Sequence, residues 1–512
     1  VLAKVWSAAV QGIDGYPVHV EVDIAPGLPY FATVGLPDAA VRESKDRVVA
    51  AVRNSGFDFP VRRVTVNLSP ADVKKEGTSF DLPIAVGVLA AGEDVPAEKI
   101  PRYVLVGELA LDGRVRPVRG LLPIALSVRD RGTEGLIFPA ANWSEAAVVG
   151  GLELVPVSSL KETVDFLRGG WTPPHSPTRP AYSFPADGAA GPDLAEVKGQ
   201  LLAKRALEVA AAGGHNLIMV GPPGSGKTML AKRLPALLPP LRFEEALETT
   251  KIHSVAGLLG RGQSLLESRP FRNPHHTISD VALIGGGNTP RPGEVSLSHH
   301  GVLFLDELPE FNRNVLEVLR QPLEDGCVTV SRAAGTATFP AKFMLVAAMN
   351  PCPCGYSGHP DRECVCTPFL VQKYRAKVSG PLLDRIDIHV EVPAVRIADL
   401  AEGPPPSEGT AQVRDRVMLA RERQAARFEA TGFYCNAHMG PKELKVHCRL
   451  ETPALDLLQA AVTRLGLSAR SFDRILKVSR TLADLAGEEA VSPEHIAEAV
   501  GYRTLDRPTV MV

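Results

Sequence analysis

The run GPPGSGKT at 221–228 constrains this chain more than any other stretch. It fits G-x-x-x-x-G-K-[ST], follows an apolar segment, NLIMV, and opens a helix-patterned one, MLAKRLPALL. Strand, glycine-rich turn and helix in that order are the context the motif requires. The glycines let backbone N–H groups wrap a phosphate, and a helix N-terminus adds a favourable dipole. Gly221, Pro222, Pro223, Gly224, Ser225, Gly226, Lys227 and Thr228 are therefore expected to form an ATP site, with Lys227 on the β/γ-phosphates and the Thr228 hydroxyl on Mg²⁺.

Two further apolar runs extend this reading. GVLFLDE, 301–307, has the pattern of a buried parallel-type strand ending in two acids. Asp306 can hold Mg²⁺ and Glu307 can polarise the attacking water, an acid that binding without hydrolysis would not need. FMLVAAMNP, 343–351, ends in Asn350, which either positions that water near the γ-phosphate or simply forms a turn.

Composition sets bounds on everything else. The 512 residues suggest roughly three or four domains. An apolar fraction of 45% and a charged fraction of 22% exclude wholesale disorder. The net charge of −2 excludes a uniformly basic nucleic-acid binder but not a locally basic channel. The apolar stretch at 82–92 is about half the length a membrane span needs. No export signal is visible at the start of the sequence, so a cytoplasmic protein without a membrane partner is expected.

Three blocks separate along the chain. Residues 1–168 alternate β-branched runs (18–24, 63–68) with a helical pattern at 39–53. A proline- and glycine-rich linker is expected at 169–192, and an α/β block at 193–400 that opens with a helix at 194–212. After AEGPPPSEGTAQ, residues 401–512 read as largely helical.

The seven cysteines are odd in number, which argues against a disulfide framework and for a reducing compartment. Four of them, Cys352, Cys354, Cys364 and Cys366, follow the pattern C-x-C, nine residues, C-x-C on a Gly/Pro-rich stretch. Two thiolate pairs can close a tetrahedral structural Zn²⁺ site, with His359 as a substitute ligand. C-x-C is less usual than C-x₂-C, and free or redox-active thiols, or another metal, remain alternatives. Four protein thiolates would leave no open catalytic position.

The P-loop, LFLDE, Asn350, GPLLDRID and an SAR helix together resemble AAA+ ATPases of the magnesium-chelatase/MCM-like branch. The strings GGHNLIMVGPPGSGKTMLA, RPFRNPHHTISDVALIGGG, PGEVSLSHHGVLFLDELPEF and NPCPCGYSGH resemble the ComM/YifB family over nearly the whole chain. The resemblance implies an α/β P-loop AAA+ core with a C-terminal helical lid. It also implies that Arg385 is an arginine finger reaching a neighbouring subunit's γ-phosphate, and that Arg470 is sensor 2. A finger acting in trans implies a ring, a homo-hexamer.

The 73 residues between Thr228 and Val302 exceed what a helix, a loop and one strand require. The surplus and a hairpin pattern at 327–345 correspond to inserts that in MCM-like relatives enter the central channel. Arg269, Arg272, His275, Arg332 and Lys342 are the resulting candidates for DNA phosphate contacts.

Residues 1–168 resemble an α+β Lon-protease-like domain (ribosomal protein S5 domain 2-like) through KKEGTSFDLPIAVGVL and GELALDGRVRPVRGLLPIA. Ser79 falls at the nucleophile position, but Leu122 occupies the lysine position and Arg119 is the nearby base. Arginine stays protonated and cannot activate a serine, so no proteolysis is expected. Taken together, the family resemblance implies a hexameric ATP-driven motor on single-stranded and branched DNA. Its expected task is branch migration during natural transformation, alongside recombination proteins. A magnesium-chelatase-type motor subunit and a protein-remodelling ATPase are the alternatives.

Overall fold

Val18, Val20, Val22 and Ile24 alternate onto one buried face of a strand, as their period-two spacing requires. That strand is one of nine in the N-terminal block: β1 (Leu2–Gln11), β2 (Asp14–Ala25), β3 (Tyr30–Val34), β4 (Arg63–Ser69), β5 (Tyr103–Leu105), β6 (Glu108–Leu109), β7 (Val115–Arg116), β8 (Gly135–Pro139) and β9 (Glu153–Val157). Seven of them form a mixed sheet in the order β3-β4-β2-β1-β5-β8-β9. β1/β2 and β2/β4 are antiparallel, and the other pairs are parallel. Helices Asp81–Ala91 and Leu121–Asp130 both pack on β1 and β2 yet feed separate apolar cores. The expected helix at 39–53 is present as Ala39–Arg42 and Ser44–Asn54. The computed structural model describes residues 1–173, 191–260, 262–287, 290–332, 335–394, 408–429 and 433–506; most of the expected linker, 174–190, and residues 401–407 of the second break lie outside these.

The second sheet comprises β10 (Leu217–Val220), β11 (Phe271–Arg272), β14 (Val302–Leu305), β17 (Met344–Met349) and β18 (Ile388–Glu391). Its order is β11-β14-β17-β10-β18, all parallel. Two antiparallel pairs stand outside it: β12 (Gly285–Gly286) with β13 (Arg291–Pro292), and β15 (Cys327–Arg332) with β16 (Gly335–Pro340).

The near-continuous apolar runs are explained by burial on both faces. Leu217, Met219, Val302, Phe304, Val346 and Ala348 face one core, which continues into the C-terminal helices Thr410–Arg427, Ala469–Ala486 and Pro493–Gly501. Ile218, Val220, Leu303, Leu305, Leu345 and Ala347 face the other, shared with the β15–β16 hairpin.

The expected helix at 194–212 is interrupted. A 3₁₀ turn, Leu194–Glu196, is followed by Gly199 and Gln200 in left-handed backbone (φ +64° and +55°) before the helix Leu201–Gly213 begins. The helix expected after the glycine loop is split into Lys227–Ala231 and Leu234–Leu237. Pro235, lacking an N–H, sits in the first turn of the second piece, where that loss is tolerated.

The N-terminal block docks on the second at two apolar contacts: Ile13, and Leu247 of the helix Phe243–Ala256, which packs on the core around Leu121 and Leu122. Ile13, in the turn between β1 and β2, is 7% exposed and belongs to the same apolar core as Val328, Val330, Ala337 and Phe339 of the β15–β16 hairpin. Asp14 pairs with Lys251 at 2.7 Å, and the Ser254 hydroxyl donates to Glu145. No helix of the described residues is long and apolar enough to cross a membrane.

Candidate nucleotide site

Because all five strands run parallel, their carboxyl ends share one edge, and β10 sits where connections diverge to either side. Such a switch point forms a ligand crevice. The 221–228 loop leaves β10, Asp306 follows β14, and Asn350 follows β17. A Cβ on Gly221 would lie 2.1 Å from the Val392 carbonyl oxygen, so only glycine lets the loop pass β18. Gly226 takes φ +91° to turn the chain into the helix Lys227–Ala231.

Lys227 Nζ donates to the carbonyls of Gly221 (2.7 Å) and Pro222 (2.9 Å), and lies 3.5 Å from Ser225 Oγ and 3.4 Å from Asn350 Oδ1. Burial holds its ammonium below the ordinary lysine value, opposed by the charges of Asp306 and Glu307. The Thr228 hydroxyl donates to Asp306 Oδ2 at 2.6 Å, which brings the two expected Mg²⁺ ligands together.

Glu307 adopts left-handed backbone (φ +53°), held by its own amide donating to Asp306 Oδ1 at 2.9 Å. Its half-exposed carboxylate lies 3.3 Å from His276 Nδ1. Nothing local in the sequence marks His276 apart from the His-His pair of PHHTIS, where His275 is the expected contact. His275 is exposed, bonds Thr277 Oγ1 at 2.9 Å and stacks on His276 at 4.1 Å. Gln200 is equally unmarked. Its side-chain amide donates to the Ser225 carbonyl (3.3 Å) and the Pro393 carbonyl (2.7 Å), tying the loop to the strand end, while its buried Oε1 has no partner.

Arg385 lies at the opposite edge of the sheet. Its carbonyl accepts from Asn216 Nδ2 at 3.0 Å, just ahead of β10, and its guanidinium pairs with Glu324 and the Pro381 carbonyl. Arg470, exposed in the first turn of Ala469–Ala486, joins Arg385, Arg474, Lys477 and Glu324 around one cavity of about 140 Å³. The two arginines therefore converge, but away from their own subunit's phosphate loop.

The DNA candidates divide. Arg269 is corrected: its guanidinium is turned inward onto the carbonyls of Pro239, Pro240 and His300 and onto Glu245 at 2.9 Å, which leaves nothing for a phosphate. Arg272, about a third exposed, pairs with Glu294 through two bonds of 2.6 and 2.7 Å. Lys342 sits at the amino end of β17 with Nζ over the Tyr434 ring, beside the lid and away from the hairpin tip. Arg332 is exposed at the end of β15.

Cys352, Cys354, Cys364 and Cys366 gather their sulfurs within 4.8 Å of one another. Glu248, His299 and His300 cluster equally closely, but the chemistry differs. The Lys342 amide donates to His299 Nδ1 at 2.9 Å, so the proton of the neutral ring sits on Nε2, facing Glu248 at 3.1 Å. That tautomer offers no lone pair to a metal. In the N-terminal block, Ser79 and Arg119 line an interdomain cleft of about 820 Å³, whereas Leu122 is fully buried.

A five-stranded parallel sheet with this loop, two acids at the adjacent strand end and a helical lid defines an AAA+ ATPase of the magnesium-chelatase type. Family models described as "Magnesium chelatase, subunit ChlI", "Subunit ChlI of Mg-chelatase" and "Magnesium chelatase, subunit ChlI C-terminal" match residues 193–400, 20–142 and 407–503. The chain is 44% identical to the uncharacterized protein YifB of Escherichia coli over 99% of its own length and 98% of that protein's. It is 44% identical to the competence protein ComM of Haemophilus influenzae over the same shares. The magnesium-chelatase subunit ChlI of Nicotiana tabacum is 26% identical over 56% of this chain and 66% of its own. The chain belongs to the ComM/YifB family.

Proposed function

We propose that this ATPase assembles into a hexameric ring and couples hydrolysis to movement along single-stranded and branched DNA, promoting branch migration of recombination intermediates during natural transformation. The observation that carries the ring is the placement of Arg385: held at the amino edge of the sheet, it cannot serve its own phosphate loop and is suited to a neighbour's. The DNA client is supported by Arg332, exposed at the end of β15, and by 44% identity to a protein named for competence.

In this reading ATP phosphates settle over 221–228, and Lys227 exchanges the carbonyls of Gly221 and Pro222 for β/γ-phosphate oxygens. Thr228 and Asp306 would hold Mg²⁺, which when bound neutralises charge on those oxygens. Glu307, steadied by His276, accepts the proton of the water that attacks the γ-phosphorus. The bond to the bridging oxygen breaks, leaving ADP and phosphate. Asn350 orients the water. Arg385, exchanging Glu324 for the neighbour's γ-phosphate, stabilises charge that grows in the transition state, and Arg470 acts beside it. The N-terminal block serves as a Lon-protease-like domain without proteolysis: among the described residues no base is bonded to the Ser79 hydroxyl, and Arg119 cannot supply one.

The test is steady-state ATP turnover with no DNA, single-stranded DNA and a four-way junction, with Lys227→Ala as background. Several-fold stimulation, strongest on the junction, is expected. Turnover indifferent to every DNA at low and moderate salt would remove the DNA client. The three chelatase models favour a second reading, a porphyrin-directed motor, which predicts turnover that responds to porphyrin instead.

A further inference from the structure

The stretch from Asn350 to Thr367 contains no helix or strand, and within it only Pro351, Cys352 and Gly355 are buried. So little apolar contact does not hold a loop of this length in one shape. What the loop does have is convergent sulfur. Cys352 Sγ lies 3.4 Å from Cys354 Sγ and 3.7 Å from Cys364 Sγ, and the Cys354–Cys364 separation is 3.6 Å. Cys366 Sγ completes the group and accepts from the Cys354 amide at 3.4 Å, while the Ser357 amide donates to Cys352 Sγ at 3.3 Å. A regular tetrahedron of sulfurs at about 2.3 Å from zinc has edges of about 3.8 Å, close to these spacings and far longer than a disulfide. Amide donation to sulfur is the outer-layer support that metal-bound thiolates receive.

The loop also touches the nucleotide site. Gly355 takes φ +86°, and a Cβ there would stand 2.6 Å from Pro223 Cδ and 2.8 Å from Pro223 Cγ. Pro223 belongs to the phosphate-binding loop, and Cys352 follows Asn350 by two residues. The sulfur cluster is thus the floor beneath both Pro223 and the polar end of β17.

We propose that Cys352, Cys354, Cys364 and Cys366 bind one structural Zn²⁺ as thiolates, releasing their protons to solvent, and that the resulting knuckle braces the phosphate-binding loop through the Gly355–Pro223 contact. Nucleotide affinity then depends on the metal. This rests on the reading of 221–228 as the nucleotide loop.

The test uses the full chain purified without added metal or chelator, together with Cys364→Ser/Cys366→Ser and Gly355→Val. Zinc is counted by mass spectrometry and affinity for a fluorescent ATP analogue by anisotropy. The unaltered chain should carry about one zinc. The double-cysteine variant should carry almost none and bind the analogue on the order of tenfold more weakly. Gly355→Val keeps every thiol but drives a side chain into Pro223, so it should retain zinc and lose affinity; this covers the case in which the double variant fails to fold. Below about 0.2 zinc per unaltered chain the metal site is overturned. Wild-type affinity in a folded, zinc-free double variant, or in zinc-loaded Gly355→Val, overturns the brace. A Lys227→Ala control separates the underlying reading: zinc-loaded chain whose analogue binding ignores Lys227→Ala refutes the nucleotide loop and leaves the metal site standing.

Discussion

Asp387, two residues beyond Arg385, joins the Arg385 segment to the C-terminal helices, and replacing it with asparagine tests that joint. Its carboxylate is 1% exposed. Oδ2 faces His215 Nδ1 and the Asn216 amide, each at 3.2 Å, and Arg474 Nη1 stands 2.9 Å from Oδ1 without a well-aligned hydrogen bond. Arg474 lies one turn after Arg470 on the same helix, and His215 Nε2 continues the network to Thr481 at 2.8 Å. Asp387→Asn keeps the shape but removes the negative charge. Breaking a buried pair costs about 3–5 kcal/mol. Because Arg474 is 22% exposed and can turn partly to water, the low end, about 3 kcal/mol, is the expected loss. At m-values of about 3 kcal/mol/M, the urea midpoint of the ATPase–lid transition should fall by roughly 1 M.

The pH dependence has a definite sign. Burial alone would raise the Asp387 carboxyl, but Arg474 and His215 outweigh it and hold it well below the usual carboxylate range. Its contribution is therefore complete above the unfolded value of about 4 and is lost as pH falls toward the folded one. The gap between wild type and Asp387→Asn should be constant at neutral pH and narrow only below about pH 4, the unfolded value. Nucleotide affinity should barely change, because the 221–228 loop is at the other edge of the sheet. A midpoint shift equivalent to less than about 0.5 kcal/mol at neutral pH would refute the joint.

Arg385→Ala should lower ATP turnover by about 10³-fold or more, with nucleotide binding preserved, as measured by turnover and analogue anisotropy on the same preparation. Unchanged turnover would rule out the trans role. His276→Ala, which frees the Glu307 carboxylate, should reduce kcat by about tenfold while leaving KM near its original value; an equal rise in KM would place His276 in binding instead. Ile13→Asp should loosen the N-terminal block from the β15–β16 hairpin, leaving the Leu247 contact to hold the blocks more weakly. It is expected to cost about 3 kcal/mol and to appear as a split thermal transition with new protease cleavage between the blocks.

The nucleotide site was legible because its determinants are local. A glycine's torsions, a lysine at the first position of a helix and two acids at a strand end act over a handful of residues, and spacing alone reports them. The thiol cluster was legible for the same reason, as two C-x-C pairs on a short loop. Charge, by contrast, says nothing about direction. Arg269 and Arg272 read as exposed phosphate ligands, yet Glu245 and Glu294, each more than twenty residues away in sequence, claim them. His276 and Gln200 were invisible because their partners, Glu307 and the Ser225 carbonyl, come within reach only when parallel strands align their carboxyl ends. The break at Gly199–Gln200 went unread because left-handed backbone at a glutamine is unfavourable in isolation, and tertiary bonds to the Ser225 and Pro393 carbonyls hold it. The sequence by itself thus determined the nucleotide loop, its acids and the sulfur cluster, all built from short-range geometry. Only the tertiary structure decided which carboxylates pair with which arginines, that Arg385 and Arg470 face one cavity, and that Ile13 joins the core of the β15–β16 hairpin, because each depends on long-range burial and on partners that chain spacing does not encode.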